Sequence, residues 1–108
     1  MENDAVVDNI LQELRRGAII LAVLGLLKEE KYGYAILKEL AEPGLDIDQG
    51  TLYPLLRRLE TQGLLESKWR VDEARPRRYY VLSSQGLALL PRLKGEWLSL
   101  VDLMNKIL

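Results

Sequence analysis

The chain has no cysteine and no histidine. The first absence removes disulfides, thiolate metal sites and cysteine nucleophiles; the second removes imidazole ligands and the usual general base. A serine–lysine or carboxylate enzyme stays open in principle, but no residues here assemble one. The expectation is therefore a protein that is not an enzyme, with no catalytic residue, no cofactor and no metal. Long apolar runs are also missing. The most apolar, AIILAVLGLL at 18–27, is too short to span a bilayer. The start, MENDAVVD, is acidic where a secretory signal would be basic. Both features point to a cytoplasmic protein without a membrane partner.

Charge of one sign is lacking overall, since the formal net charge is −1. Its distribution is uneven. Residues 1–14 carry four acids and no base, and residues 32–50 carry four acids and one lysine. Residues 51–80 carry Arg57, Arg58, Lys68, Arg70, Arg75, Arg77 and Arg78 against four acids, a local excess of three positive charges. Such a region within a neutral chain is either an electrostatic footprint for nucleic acid or an ordinary solvated face. At 108 residues, with 48% hydrophobic and 29% charged residues, the chain is of a size and composition for one globular domain with an appended helix. A domain this small buries a modest share of its surface, so an oligomer interface is a natural supplement.

Apolar residues at 6, 7, 10, 11 and 14 predict an amphipathic helix, followed by a more buried helical stretch over 15–28 with Gly17 as a bend between them. KEEKYG at 28–33 reads as a polar connection. A short helix over 34–42 stops at Glu42-Pro43-Gly44. Asp48 suits the N-cap of a next helix, which runs to about Gln62 and ends at Gly63. The period then changes. LESKWRV at 65–71 alternates, RRYYVLS at 77–83 is rich in strand formers, and DEARPR between them reads as a longer hairpin turn. Ser83 or Ser84 can cap a last helix over 85–107. This order predicts an α+β, mostly α, fold: a winged helix-turn-helix with an N-terminal helix and a C-terminal dimerisation helix. The domains expected are 1–83 for the winged part (helix-turn-helix 34–62, wing 65–83) and 84–108 for the C-terminal helix.

The helix after Asp48 has two unlike faces. Leu52, Leu55, Leu56 and Leu59 share one side, as a core-facing stripe does. Opposite lie Gly50, Pro54 and Arg57, flanked by Tyr53 and Arg58. An ordinary solvent face would carry Glu, Lys and Gln, the good helix formers. A face that is small or rigid near the N-terminus and basic one turn later suits close approach to a polyanion. A recognition helix places its N-terminal residues against base edges in the major groove in this way. The bland reading is that Pro54 sits in an irregular first turn. For Tyr53 the alternatives are contact with phosphate or base and packing against the scaffold. Structural roles are favoured for Tyr32, Tyr34 and Tyr80.

RRGAIILAVLGLL, KYGYAILKEL, GTLYPLLRRLETQGLL and RRYYVLSSQG, in this order, resemble the successive signatures of the PadR family of transcriptional regulators, over about residues 12–100. A single helix after the wing is similar to the family's short subgroup. The resemblance implies a winged-helix dimer that represses genes by occupying operator DNA and is released in many members by a small aromatic or other effector. It places Gly50, Thr51, Tyr53, Pro54 and Arg57 on the recognition helix and Arg75, Arg77 and Arg78 on a basic wing; Gln49 and Arg58, neighbours of that helix face in the sequence, are further candidates for DNA contact. The wing turn EARPR departs from the family in lacking the usual glycines.

In the last helix Leu90, Leu93, Trp97, Leu100, Val101, Met104 and Ile107 recur every three or four residues, beyond where a winged-helix core ends. A second subunit is the expected partner of this stripe. Trp97, with Leu93 and Val101, is the candidate place for an aromatic effector, against the simpler reading that Trp97 only fills the interface. The function expected is that of a sequence-specific regulator of double-stranded DNA, binding an inverted repeat as a homodimer. The alternative is a winged-helix module for protein–protein contact without DNA.

Overall fold

The computed structural model describes residues 4–108, so Glu2, one of the acids counted above, lies outside the described residues. Four helices and three short strands follow the order α1 (Asp4–Leu26), β1 (Lys31–Tyr32), α2 (Gly33–Ala41), α3 (Gln49–Thr61), β2 (Leu65–Asp72), β3 (Arg75–Leu82) and α4 (Ser84–Ile107). This is the mostly helical winged helix-turn-helix expected from the sequence. The strands form one antiparallel sheet in the order β1-β3-β2.

The core lies where α1, α2 and α3 meet the inner ends of the strands. Val23 and Leu24 enter it from α1, Leu27 from just past its end, Ile36 and Leu40 from α2, and Leu52, Leu56 and Leu59 from α3. Leu65, Tyr80 and Leu82 close it from the sheet. Each fully buried leucine contributes about 1.5–3 kcal/mol relative to exposure, so these few side chains dominate the stability of a small domain.

Three expectations need correction. The N-terminal segment is one continuous helix of 23 residues; Gly17 is exposed within it and does not divide it in two. The connection after α1 is not wholly irregular. Lys31 and Tyr32 pair with Tyr80 and Tyr79 as a third strand, and Leu82 N–H donates to the Leu27 carbonyl at 2.8 Å just beside it. The hairpin turn is two residues long, not six. Glu73 and Ala74 hold φ of 51° and 65°, both in the left-handed region, so the strands run on to Asp72 and from Arg75. Two positive-φ residues give the turn whose twist matches paired strands, here built without glycine.

The joint between α3, wing and α4 is tied by Gly63 and Ser83. Gly63 has φ +83°, and the Leu64 N–H reaches the Leu59 carbonyl at 3.0 Å while Gly63 N–H reaches Glu60 at 2.9 Å. This double bond pattern at a left-handed glycine ends α3 and turns the chain into β2. Ser83 is buried; its hydroxyl donates to the Gly63 carbonyl at 2.6 Å and accepts from Gly86 N–H at 3.1 Å, capping α4. Hydrogen bonds at this corner tie the end of α3 to the strand ends and to α4.

Candidate nucleic-acid interface

Asp48 sets where α3 begins. Its backbone is extended, and its Oδ1 accepts from Thr51 N–H at 2.8 Å. Hydrogen bonds from Thr51, its side chain first and its N–H second, hold the Asp48 carboxyl below its ordinary range. With this cap in place Gln49 is the first helical residue and Pro54 the sixth, in the second turn. Pro54 thus does not sit in an irregular first turn. Leu52, Leu56 and Leu59 are buried and Leu55 half-buried, while Gln49, Gly50, Thr51, Pro54, Arg57 and Arg58 are all exposed. The two faces read from the sequence are the two faces of the helix.

Tyr53 belongs to both. Its ring lies so close to Gly33, the first residue of α2, that a Cβ there would collide with it. Its outer edge lines a groove of about 680 Å³ between α3, the start of α2 and the wing. Arg57, Arg75 and Arg77 border the same groove, as do Tyr32, Tyr34, Tyr80 and Trp69.

Arg75, Arg77 and Arg78 of the wing all border this groove, but their side chains are held differently. Successive strand residues point to opposite faces. Arg75 is exposed beside the turn. Arg77 is held over the Tyr32 ring at 4.4 Å. Arg78 faces inward, between Trp69 at 5.9 Å and Tyr80 at 5.4 Å. Its Nη2 donates to Glu60 of α3 at 2.9 Å and its Nε to Ser67 Oγ at 3.0 Å, while Ser67 donates to Glu60 at 2.6 Å. Arg78 is thereby engaged in joining the wing to α3. Burial among these groups raises the Tyr80 hydroxyl pKa. On the outer face, Tyr79 donates to Asp72, which raises its pKa, and Arg70 stacks on the same ring at 4.6 Å.

Charge pairing sharpens the footprint. Of the seven bases in 51–80, Lys68 and Arg70 meet Glu30 and Arg78 meets Glu60. That leaves Arg57, Arg58, Arg75 and Arg77 without an ion pair among the described residues. Three of these four border the groove. Reading the sequence alone missed Trp69, which is 66% exposed although it shares a strand face with buried Leu65. The signal was its position, four residues beyond the last core contact of β2. Tyr32 and Tyr34, for which the sequence favoured structural roles, also line the groove.

No group of three or more His, Cys, Asp or Glu that would hold a metal occurs among the described residues. Nor is any described helix long and apolar enough to cross a membrane.

An exposed helix face of Gly, Pro and Arg beside a basic two-stranded wing is the arrangement of winged-helix DNA readers. The family model for the PadR-like transcriptional regulators matches residues 20–92, from within α1 to within α4. The chain belongs to the PadR-like family. Among its relatives is transcriptional regulator Rv3488 of Mycobacterium tuberculosis, 40% identical over 81 residues that span 74% of this chain and 76% of that one. A PadR family transcriptional regulator from Eggerthella lenta superposes with a TM-score of 0.89 at 44% identity, covering 99% of this chain and 96% of its own. A PadR-like transcription factor from Bacteroides fragilis gives 0.77 at 35% identity, with 93% and 99% covered. PadR-like proteins are DNA-binding transcriptional regulators, not enzymes, and are typically dimeric. In this PadR-like chain the groove and the outer face of α3 are accordingly the candidate DNA interface.

Proposed function

We propose that this protein is a repressor that binds an inverted-repeat operator as a homodimer, with α3 in the major groove and the wing along the adjacent backbone. The observation that carries the reading is the set of four cations without an ion pair among the described residues, Arg57, Arg58, Arg75 and Arg77, on and beside an exposed helix face. Gln49, Gly50, Thr51, Tyr53 and Pro54 form the close-approach surface, and Arg57 reaches base edges or phosphates one turn on. Arg75 and Arg77 contact phosphates, which position the protein without reading sequence. Arg78 serves by holding the wing against α3.

Dimerisation involves α4, the unit expected at 84–108. Leu90 and Leu93 pack against the protomer's own core, but Trp97, Leu100, Val101, Met104 and Ile107 are exposed. Val6, Val7, Ile10 and Leu14 of α1 are exposed as well. An apolar surface of this extent on a small protein marks an interaction site. A small aromatic effector between paired α4 helices, near Trp97 with Leu93 and Val101, would release the DNA if its affinity differed between bound and free states. Electrophoretic mobility shift with DNA upstream of the protein's own gene, followed by footprinting, tests the function. The expected result is a protected inverted repeat with half-sites about one helical turn apart. Absence of any sequence preference, with the folded protein still a dimer, would favour a protein–protein module.

A further inference from the structure

The wing groove flanks α3 on one side; on another side of the helix, toward α1, lies a second cleft of about 550 Å³, bordered by the α2–α3 turn. Its floor is aliphatic. Ile19 and Ile20 of α1, Leu45 and Ile47 of the turn and Leu55 of α3 are all only half-buried there. No aromatic ring lines it. Along α3 and its N-cap the wall runs from Asp48 to Arg58, ten residue steps and about 15 Å of helical rise.

The charges around this cleft are graded. Asp46 and Asp48 stand at the turn, Arg58 at the far end of the α3 wall, and Arg15 and Arg16 along α1. Arg16 is held by Glu13 at 2.9 Å. Arg15 and Arg58 have no ion pair among the described residues. The volume lies in the range of small-molecule sites, and the cleft sets an aliphatic floor within a largely charged rim.

We infer that this cleft binds a medium-chain aliphatic monocarboxylate, its chain on the isoleucine and leucine floor and its carboxylate on Arg15 and Arg58. Guanidinium forks match carboxylates geometrically and stay charged. An aliphatic lining buries a methylene chain but provides no stacking face, so a flat aromatic acid gains nothing further from it. The acids at the turn repel a second carboxylate, which restricts the ligand to one. Thr51, Pro54 and Arg58 belong both to this wall and to the proposed DNA-facing surface. A ligand that prefers the DNA-free protein will therefore weaken operator binding. That consequence rests on the DNA-binding reading above, whereas binding in the cleft does not.

The test uses octanoate as probe and octanedioate as its control, on the full chain without DNA, followed by methyl resonances in NMR. Octanoate should shift Ile19, Ile20, Leu45, Ile47 and Leu55 and leave Leu100 and Ile107 in place, and octanedioate should shift none of them. Arg15→Ala, at an exposed position without an ion pair among the described residues, should weaken octanoate binding about tenfold, with partial rescue by Arg15→Lys. Saturating octanoate should then weaken operator binding about fivefold or more in mobility shifts. Shifts confined to α4, equal binding of octanedioate, or indifference to Arg15→Ala would overturn the assignment. So would Arg15→Ala/Arg58→Ala losing DNA affinity and salt dependence while octanoate has no effect, since the arginines would then be phosphate contacts. If the wild-type chain binds no DNA at all, the functional reading fails and the NMR result still decides the cleft.

Discussion

Pro54 stands four residues after Gly50 on the exposed side of α3, so the Gly50 carbonyl has no helical N–H to receive. Packing among the described residues does not require the glycine. A Cβ at Gly50 would meet only Asp48 Oδ1, at 3.6 Å, an ordinary contact. Proline costs about 3 kcal/mol in a helix interior and glycine about 1 kcal/mol relative to alanine. On the DNA-binding reading proposed above, two unfavourable choices on one solvent-facing turn serve what approaches from outside: the side lacking a Cβ would let a base edge or backbone come near, and the released carbonyl would be an acceptor for a base amino group.

Pro54→Ala should accordingly stabilise the protein and impair its recognition. Restoring the N–H should raise unfolding free energy by about 1–3 kcal/mol in urea titrations. Affinity for the operator should fall while affinity for unrelated DNA is unchanged, as read by mobility shift at fixed salt. A stabilised variant with undiminished discrimination would show that the proline has no part in reading DNA.

The wing arginines should separate into two classes. Arg75→Ala with Arg77→Ala should weaken binding to all sequences alike and reduce the magnitude of the salt slope by about one to two units. Arg78→Ala removes the ligand of Glu60 and Ser67 instead. It should lower thermal stability and weaken binding with the slope nearly unchanged, because no phosphate contact is lost. Arg57→Ala should alter which bases are preferred at its position in the half-site.

The hairpin turn offers a stability test independent of DNA. Glu73 and Ala74 occupy left-handed backbone that side chains with a Cβ adopt at a cost of about 1 kcal/mol or more each. Replacing the pair by Asn-Gly, the residues such turns favour, should stabilise the protein by about 1 kcal/mol in chemical denaturation. Unchanged or lower stability would mean that the strained pair is held by contacts outside the turn.

What the sequence disclosed and what it hid divide along the range of the interactions. Asp48, the four leucines and Gly63 define α3 because cap, stripe and stop all act within a few residues. The two faces of that helix, and hence most of the candidate site, were legible for the same reason. The strand Lys31–Tyr32 was not, since two residues show no period and the pairing with Tyr79 and Tyr80 is long-range. The two-residue turn was hidden because Glu-Ala lacks the usual chemistry of left-handed turns. Arg78 looked like its neighbours in a basic run; only its tertiary pairing with Glu60 sets it apart from Arg75 and Arg77.

The same limit applies to α4, where periodicity shows a stripe but not what covers each part of it. Leu90 and Leu93 turn out to be half-buried by their own protomer, whereas beyond Leu93 no residue is buried, and Trp97 remains 42% exposed. The dimer contact should therefore centre on Trp97, Leu100, Val101 and Met104. Met104→Asp should yield a folded monomer in sedimentation at micromolar concentration, with circular dichroism unchanged and operator affinity reduced at least as much as in any single wing variant. Two indoles are present, Trp69 and Trp97. In Trp69→Phe the remaining emission reports on Trp97 alone, and it should shift to longer wavelength when Met104→Asp is added, because separation of the subunits wets the ring. Titrating planar aromatic compounds into Trp69→Phe then examines the seam as an effector site, since a flat ligand stacked between symmetry-related rings must change that emission. Quenching that saturates, accompanied by loss of operator binding, is the expected outcome for an aromatic effector. Emission that stays flat across a varied set, with operator affinity unchanged, would leave Trp97 as interface packing and move the search for an effector to the cleft between α1 and α3.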